Sequence, residues 1–226
     1  MTIGLVIFDC DGVLVDSEPI SIAVLRGVLA KNGVAISETE AYDRFLGKSM
    51  ATIAQFIEGD FGLVITEAHR EQIRADLFHR FEAELEPVPG IRETLSELNI
   101  RRCVASSSQP DRIRFSLRLT GLLELLEPHI YSATMVKRGK PSPDLFLHAA
   151  SEMGVEPTRC VVIEDSPAGV MAARSAGMRV LAFIGALHAA RPGFRDKLAG
   201  LAPDAIFDDM RELPSMLARM PAQPSL

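Results

Sequence analysis

The chain has 226 residues, 47% of them hydrophobic and 24% charged, with a formal net charge of -6 at neutral pH. This length fits one large domain or a main domain with a smaller companion, and the modest negative charge provides no general attraction to polyanions, so we expect no nucleic-acid partner. No apolar run is long enough to span a bilayer and no signal-peptide pattern is present, so we expect no membrane partner and a cytoplasmic location.

The predicted elements begin with a short buried strand over residues 5–8. Helical patterns follow, and none of the next segments reads as a convincing strand. Ser37 and Glu40 predict a capping box at the start of one helix. Residues 48–57 predict another short helix, and Thr66 is placed to cap a longer one. The sequence therefore predicts an all-helical block directly after the first strand.

From residue 87 onward, strand and helix patterns alternate. Short apolar runs predict strands over residues 103–105, 130–133, 160–163, 180–183 and 205–207. Helix signals lie between these runs, which implies parallel pairing with right-handed crossovers. The predicted fold class is α/β, with a doubly wound parallel sheet covered by helices on both faces.

The helical block interrupts this core, so we expect two domains. Residues 1–16 and 85–226 form the catalytic core, and residues 17–84 form a small inserted all-helical cap domain. Both crossings into the cap lie near the tip of the first strand, so the cap can act as a lid. Residues 221–226 are expected to be a flexible tail.

Two carboxylates, Asp9 and Asp11, follow the first strand, and Gly12 lets the chain turn sharply after them. Ligands of open parallel sheets bind outside the carboxyl ends of the strands. Two uncompensated neighbouring carboxylates repel each other, and a divalent cation removes that repulsion. All-oxygen ligation favours a hard ion, so Mg²⁺ is the expected cofactor.

Three further segments place polar groups at strand ends of the same sheet. Ser106 and Ser107 follow one strand and offer a hydroxyl and free N–H groups to phosphate oxygens. Lys140 lies in a loop framed by glycine and prolines. Glu164 and Asp165 end a fully apolar strand. Carboxylates, a hydroxyl and a lysine at four strand tips are a complete set for aspartyl-phosphate chemistry.

Jointly these segments resemble the four motifs of the haloacid dehalogenase superfamily of phosphatases, in the subgroup similar to β-phosphoglucomutase and bacterial sugar-phosphate phosphatases. The resemblance covers nearly the whole chain and implies a Rossmann-like core with a helical cap between the first and second motifs. The motifs stand here, in the family's order, as Asp9-Cys10-Asp11-Gly12, Ser106, Lys140 and Glu164-Asp165.

The resemblance implies a role for each motif residue. Asp9 would attack phosphorus and carry a phosphoaspartyl intermediate, and Asp11 would act as general acid and then general base. We expect burial under the cap to raise the pKa of Asp11 toward the working pH. The family's metal ligands correspond to the Asp9 carboxylate, the Asp11 backbone carbonyl and the Asp165 carboxylate, with Glu164 nearby or joined through water.

The resemblance also indicates which residues would contact the substrate. Ser106, the Ser107 N–H and Lys140 would hold the transferring phosphate. Gly12, Gly47 and Lys48 are further candidate substrate-binding residues, the last two on a cap loop that faces the active site in similar proteins. We expect a small phosphorylated metabolite as the partner of a monomer or weak homodimer. A sugar phosphate or phosphorylated sugar acid is expected, with 6-phosphogluconate as one candidate.

Two alternatives stay open at this point. A phosphosugar mutase shares all four motifs, but Ser21 and Met50 stand where the mutase-like members carry a histidine and an arginine. An aspartyl-phosphate signalling module uses a similar residue set, although it needs no lid. A dehalogenase is disfavoured, because the family's dehalogenases lack the second acid that stands here as Asp11. The five histidines show no ligand spacing, so we expect them at the surface or its boundary.

Overall fold

Six parallel strands form one sheet in the computed structural model, which describes residues 2–220. The predicted tail over residues 221–226 lies outside the described residues. The strand order is β3-β2-β1-β4-β5-β6, so β1 lies between β2 and β4. The strands are β1 Leu5–Phe8, β2 Arg102–Ser106, β3 Ile130–Ser132, β4 Cys160–Glu164, β5 Arg179–Phe183 and β6 Ala205–Phe207.

Helices cover the sheet, and their packing explains why the central strands are apolar on both faces. All four residues of β1 and all five of β4 are buried, as expected for parallel strands under two helical layers. The helices are α1 Glu18–Lys31, α2 Glu38–Phe45, α3 Met50–Phe61, α4 Glu67–Glu84, α5 Ile91–Glu97, α6 Pro110–Leu119, α7 Leu123–Leu126, α8 Asp144–Glu152, α9 Pro167–Ser175, α10 Phe194–Ala199 and α11 Leu213–Arg219.

This arrangement confirms the predicted doubly wound α/β fold. The strand order reverses at β1, where the chain runs outward through β2 and β3 and then returns to β4 on the other side. Ligands of such sheets bind at this switch point, outside the carboxyl ends of the strands. None of the described helices is long and apolar enough to cross a membrane.

The helical block after β1 contains α1 to α4. At the starts of two of these helices, the structure differs in detail from the prediction. Ser37 Oγ accepts from Glu40 N at 3.1 Å, but the carboxylate of Glu40 pairs with Arg44 instead of closing a capping box. The helix predicted over residues 48–57 begins later, because Ser49 caps it by accepting from the N–H of Thr52. The Ser49 cap therefore shifts the start of this second helix from residue 48 to residue 50.

The two chain segments that join this block to the sheet run side by side. Asp16 N donates to Glu86 O at 3.0 Å, and Val88 N donates to Leu14 O at 3.0 Å. The first connection continues the loop that follows β1, and the second leads from α4 back to the sheet layer beside that loop. They therefore hold the helical block over the carboxyl end of the sheet, where the candidate site lies.

Candidate active site

The candidate residues converge because β1, β2 and β4 are neighbours. Asp9 directly follows β1, Ser106 ends β2 and Glu164 ends β4, and these strands pair in parallel register. Their carboxyl ends therefore deliver polar side chains to one edge of the sheet. Asp165 follows Glu164, and the loop before α8 brings in Lys140.

Lys140 forms the buried electrostatic centre of the site. Its Nζ donates to Asp9 Oδ1 at 2.8 Å and to Glu164 Oε1 at 2.7 Å, and its side chain is 1% exposed. Burial opposes its charge, but the two carboxylates raise the pKa of Lys140 above its ordinary value. Burial also raises the pKa of Asp9 well above its ordinary value, although the charge of Lys140 opposes that shift.

Asp9, Glu164 and Asp165 form a buried acidic group whose candidate ligand atoms all lie within 4.8 Å of one another. Glu164 is already engaged, because its Oε2 accepts from the backbone and side chain of Ser166. Both oxygens of Asp165, in contrast, are buried without a hydrogen-bond partner. Burial and the charge of Glu164 raise the pKa of Asp165 well above its ordinary value.

This group fits a hard divalent cation. Unpaired buried carboxylate oxygens are costly unless a cation or a hydrogen-bond donor satisfies them, and oxygen atoms are the ligands that Mg²⁺ prefers. Gly12 closes the site from one side with a φ of +80°, and a Cβ there would lie 1.9 Å from Asp165 Oδ2. Only glycine fits at this position.

Asp11 occupies a different environment from Asp9. Its Oδ1 accepts from Ser17 Oγ at 2.5 Å and from Arg112 Nη2 at 2.8 Å, and its Oδ2 accepts from Ser108 Oγ at 2.7 Å. Burial favours the neutral acid, but the Arg112 charge and the hydrogen bonds prevail and lower the pKa of Asp11 below its ordinary value. The expected upward shift is wrong for this arrangement, because the contact between Arg112 and Asp11 was not foreseen.

A cleft of about 60 Å³ lies above these groups, between the sheet edge and the helical block. Ser107 Oγ donates to the backbone oxygen of Gly47 at 3.1 Å across this cleft. Lys140, Glu164 and Asp165 lie beneath the cleft and do not line it. The predicted residues that line it are Asp9, Asp11, Gly47, Lys48, Ser106 and Ser107.

Sequence reasoning missed several residues that the structure brings to the site. Arg112 and Glu18 line the cleft. His188 is 2% exposed, so its predicted place at the surface is wrong; its Nε2 lies 2.9 Å from Asp165 Oδ2 without hydrogen-bond geometry. One signal was available for Arg112, which lies in the first turn of α6, where the helix dipole disfavours a cation.

The comparisons with known proteins agree with this fold. The family model of the haloacid dehalogenase-like hydrolases matches residues 3–177. The chain belongs to this family. It is 30% identical to the 6-phosphogluconate phosphatase of Escherichia coli K12 over 81% of this chain and 83% of that protein.

Two solved structures of the family extend the match to almost the whole chain. A haloacid dehalogenase-like protein of unknown function from Agrobacterium tumefaciens is 38% identical, with a TM-score of 0.79 over 95% of this chain and 97% of that one. A protein described as a putative β-phosphoglucomutase from Thermotoga maritima is 26% identical, with a TM-score of 0.71 over 96% of this chain and 100% of that one.

Proposed function

We propose that this protein is a phosphoric monoester hydrolase that acts on a small phosphorylated metabolite, either a sugar phosphate or a phosphorylated sugar acid. The observation that carries the proposal is the buried group of Asp9, Lys140 and Asp165 beneath a cleft, with two Asp165 oxygens lacking hydrogen bonds. Membership in the hydrolase family and a relative named 6-phosphogluconate phosphatase support it. 6-Phosphogluconate is therefore the first compound to test.

In the first step, Asp9 attacks the phosphorus atom. Lys140 holds Asp9 Oδ1 at 2.8 Å, which leaves Oδ2 as the proposed attacking oxygen. A bond forms between this oxygen and phosphorus while the bond to the leaving oxygen breaks, and protonated Asp11 gives its proton to that oxygen. Ser106, the Ser107 N–H and Lys140 are the proposed partners of the phosphate oxygens.

In the second step, water attacks the phosphoaspartyl group and the bond between Asp9 and phosphorus breaks. Asp11, now ionised, takes a proton from this water. The hydrogen bonds from Arg112, Ser17 and Ser108 favour the ionised carboxylate, so the arrangement of Asp11 in this structure suits the second step.

Mg²⁺ is the proposed cofactor, held by the carboxylates of Asp9 and Asp165 and the backbone carbonyl of Asp11. Glu164 would support these ligands directly or through water. When bound, the ion neutralises the crowded carboxylates and the charge that develops on the phosphate.

The size of the cleft favours a lid. A cavity of about 60 Å³ holds a few water molecules but not a hexose phosphate, so the substrate needs the helical block to move away from the sheet. We therefore keep residues 17–84 as the proposed cap domain and residues 1–16 and 85–226 as the proposed core. Gly47, on the loop after α2, would meet the substrate on closure, as would Lys48.

Phosphate release from a panel of sugar phosphates and from 6-phosphogluconate tests this proposal. We expect steady release with Mg²⁺, loss of release with a chelator, and a decrease of roughly 1,000-fold or more for Asp9→Asn, since the nucleophile is removed. Asp196→Asn is the control, because Asp196 is exposed, lies in α10 and does not line the cleft.

Release by Asp9→Asn at the rate of the unchanged protein would contradict the proposal. Phosphate migration between sugar hydroxyls with negligible release would favour a phosphosugar mutase instead. A single sub-stoichiometric burst would favour an aspartyl-phosphate signalling module.

A further inference from the structure

Arg112 joins the sheet edge to the helical block directly above the candidate site. Its Nη2 donates to Asp11 Oδ1 at 2.8 Å and to Ser21 Oγ of α1 at 2.9 Å. Its guanidinium carbon lies 5.4 Å from the centre of the Phe81 ring in α4. The side chain is 22% exposed and lines the cleft, so the guanidinium is one wall of the space where a leaving group must lie.

The protein supplies hydrogen-bond acceptors for only some of the N–H donors of this guanidinium. An arginine carries five N–H donors, and within the described residues the bonds of Arg112 use Nη2 alone, while its Nε is buried without a partner. Arg102 differs from Arg112 in this respect. Its Nε and Nη1 donate to three backbone carbonyls, as expected of an arginine with a structural role. A buried donor without an acceptor is destabilising, so the Arg112 side chain is poorly explained by structure alone.

The charges that line the cleft also favour an anionic ligand. Asp9 is paired with Lys140 and Asp11 with Arg112. Lys48 has no ion-pair partner among the described residues, and its Nζ lies 4.3 Å from the centre of the Phe56 ring.

The third carboxyl group of the cleft belongs to Glu18. Burial first, and then the nearby charges of Asp11 and Asp165, raise the pKa of Glu18 above its ordinary value. Among the described residues that line the cleft, Lys48 is the cation without an ion-pair partner.

We propose that Arg112 and Lys48 recognise a second anionic group, a carboxylate or another phosphate, on the leaving group of the substrate. This inference rests on the proposed function and narrows its substrate class to phosphate monoesters that carry a second anion. Asp11 would protonate the leaving oxygen, so a group bound to the neighbouring Arg112 belongs to the leaving portion of the substrate. Guanidinium and ammonium groups bind such anions through charge-assisted hydrogen bonds.

A matched pair of esters tests the assignment, because 6-phosphogluconate and sorbitol 6-phosphate differ in a terminal carboxylate and a terminal CH₂OH group. We expect the unchanged protein to prefer 6-phosphogluconate in kcat/KM. For Arg112→Gln we expect the KM for 6-phosphogluconate to rise by about 10- to 100-fold more than the KM for sorbitol 6-phosphate, the usual size of a charge-assisted hydrogen bond.

Arg74→Gln is the control for a purely structural clamp. Arg74 of α4 forms an ion pair with Asp111 of α6 and so joins the same two helices, but it does not line the cleft. We expect no change in the preference between the two esters for this variant. Lys48→Met is expected to weaken the preference as Arg112→Gln does. Fructose 1,6-bisphosphate and fructose 6-phosphate, compared in the same way, distinguish a second phosphate from a carboxylate.

The inference would be overturned if Arg112→Gln raised the KM for both esters by the same factor, or if Arg74→Gln changed the preference as Arg112→Gln does. Arg112 would then only hold the helices together. If the unchanged protein hydrolyses no ester, the proposed function fails separately. In that case calorimetric binding of the two esters still tests Arg112, because its substitution must weaken binding of 6-phosphogluconate selectively.

Discussion

Glu18 allows a quantitative test of the electrostatics around the cleft. It is the first residue of α1, its side chain is almost fully buried, and it lines the cleft beside Asp11. Burial, followed by the negative charges of Asp11 and Asp165, raises the pKa of Glu18 from 4.5 to about 8. The native state therefore keeps a proton on Glu18 at pH values where the unfolded chain has lost it.

The magnitude follows from proton linkage. Between pH 4.5 and about 8 the native state binds one more proton at Glu18 than the unfolded state, so this group makes stability fall as the pH rises, by ~1.4 kcal/mol per unit. Between pH 4.5 and about 8 the free energy of unfolding falls by ~5 kcal/mol through this group. Below pH 4.5 Glu18 is protonated in both states, so it causes no loss of stability there. Glu18→Gln removes the titration, so the stability of the variant relative to the unchanged protein should increase by ~2.7 kcal/mol between pH 5.5 and 7.5.

Urea unfolding of both proteins at half-unit pH intervals, in the presence of a chelator, measures this difference. Glu67→Gln is the control, because Glu67 begins α4 as Glu18 begins α1, but its side chain is 73% exposed, and we expect its substitution to leave the pH dependence unchanged. Parallel stability curves for Glu18→Gln and the unchanged protein would refute the reasoning, since they would mean that Glu18 titrates alike in both states.

Two further substitutions test the buried part of the site. For Gly12→Ala we expect loss of phosphatase activity and weaker Mg²⁺ binding, because the new Cβ would lie 1.9 Å from Asp165 Oδ2; Gly33→Ala shares the φ of +80° but has no atom within 4 Å, so equal effects on Mg²⁺ binding would contradict the steric explanation. For Lys140→Met we expect the free energy of unfolding to fall by ~3–5 kcal/mol, because two buried carboxylates lose their cation. Adding Glu164→Gln should restore part of this loss in urea unfolding, and a double variant no more stable than Lys140→Met would contradict the assignment.

The strand tips were predictable because the signal is local. An apolar run that stops at Asp9 or at Glu164 marks both the end of a buried strand and the polar group it delivers. Parallel pairing then brings these groups together whatever their separation in sequence. The fold class and the convergence of the motif residues follow from that rule alone.

The environment of each group was not predictable in the same way, because it depends on how helices dock. Arg112 reaches Asp11 across 101 positions of sequence, and His188 becomes buried beside Asp165 through a loop after β5. Periodicity gives the apolar face of a helix but not the neighbour that this face meets. The direction of the Asp11 pKa shift therefore had to come from the structure.

Under the proposed mechanism, the opposite pKa shifts of Asp9 and Asp11 make opposite demands on the two groups. Burial raises the pKa of Asp9, whereas the proposed nucleophile must be ionised, so a cation held by Asp9 and Asp165 would have to lower it. Asp11 has the converse difficulty, because Arg112 and two serines favour its ionised form, which serves the second step and not the first. A substrate anion that draws Arg112 away from Asp11 would let Asp11 hold the proton that the leaving oxygen needs. On this reasoning, the residue that selects the substrate also prepares the acid for its first proton transfer.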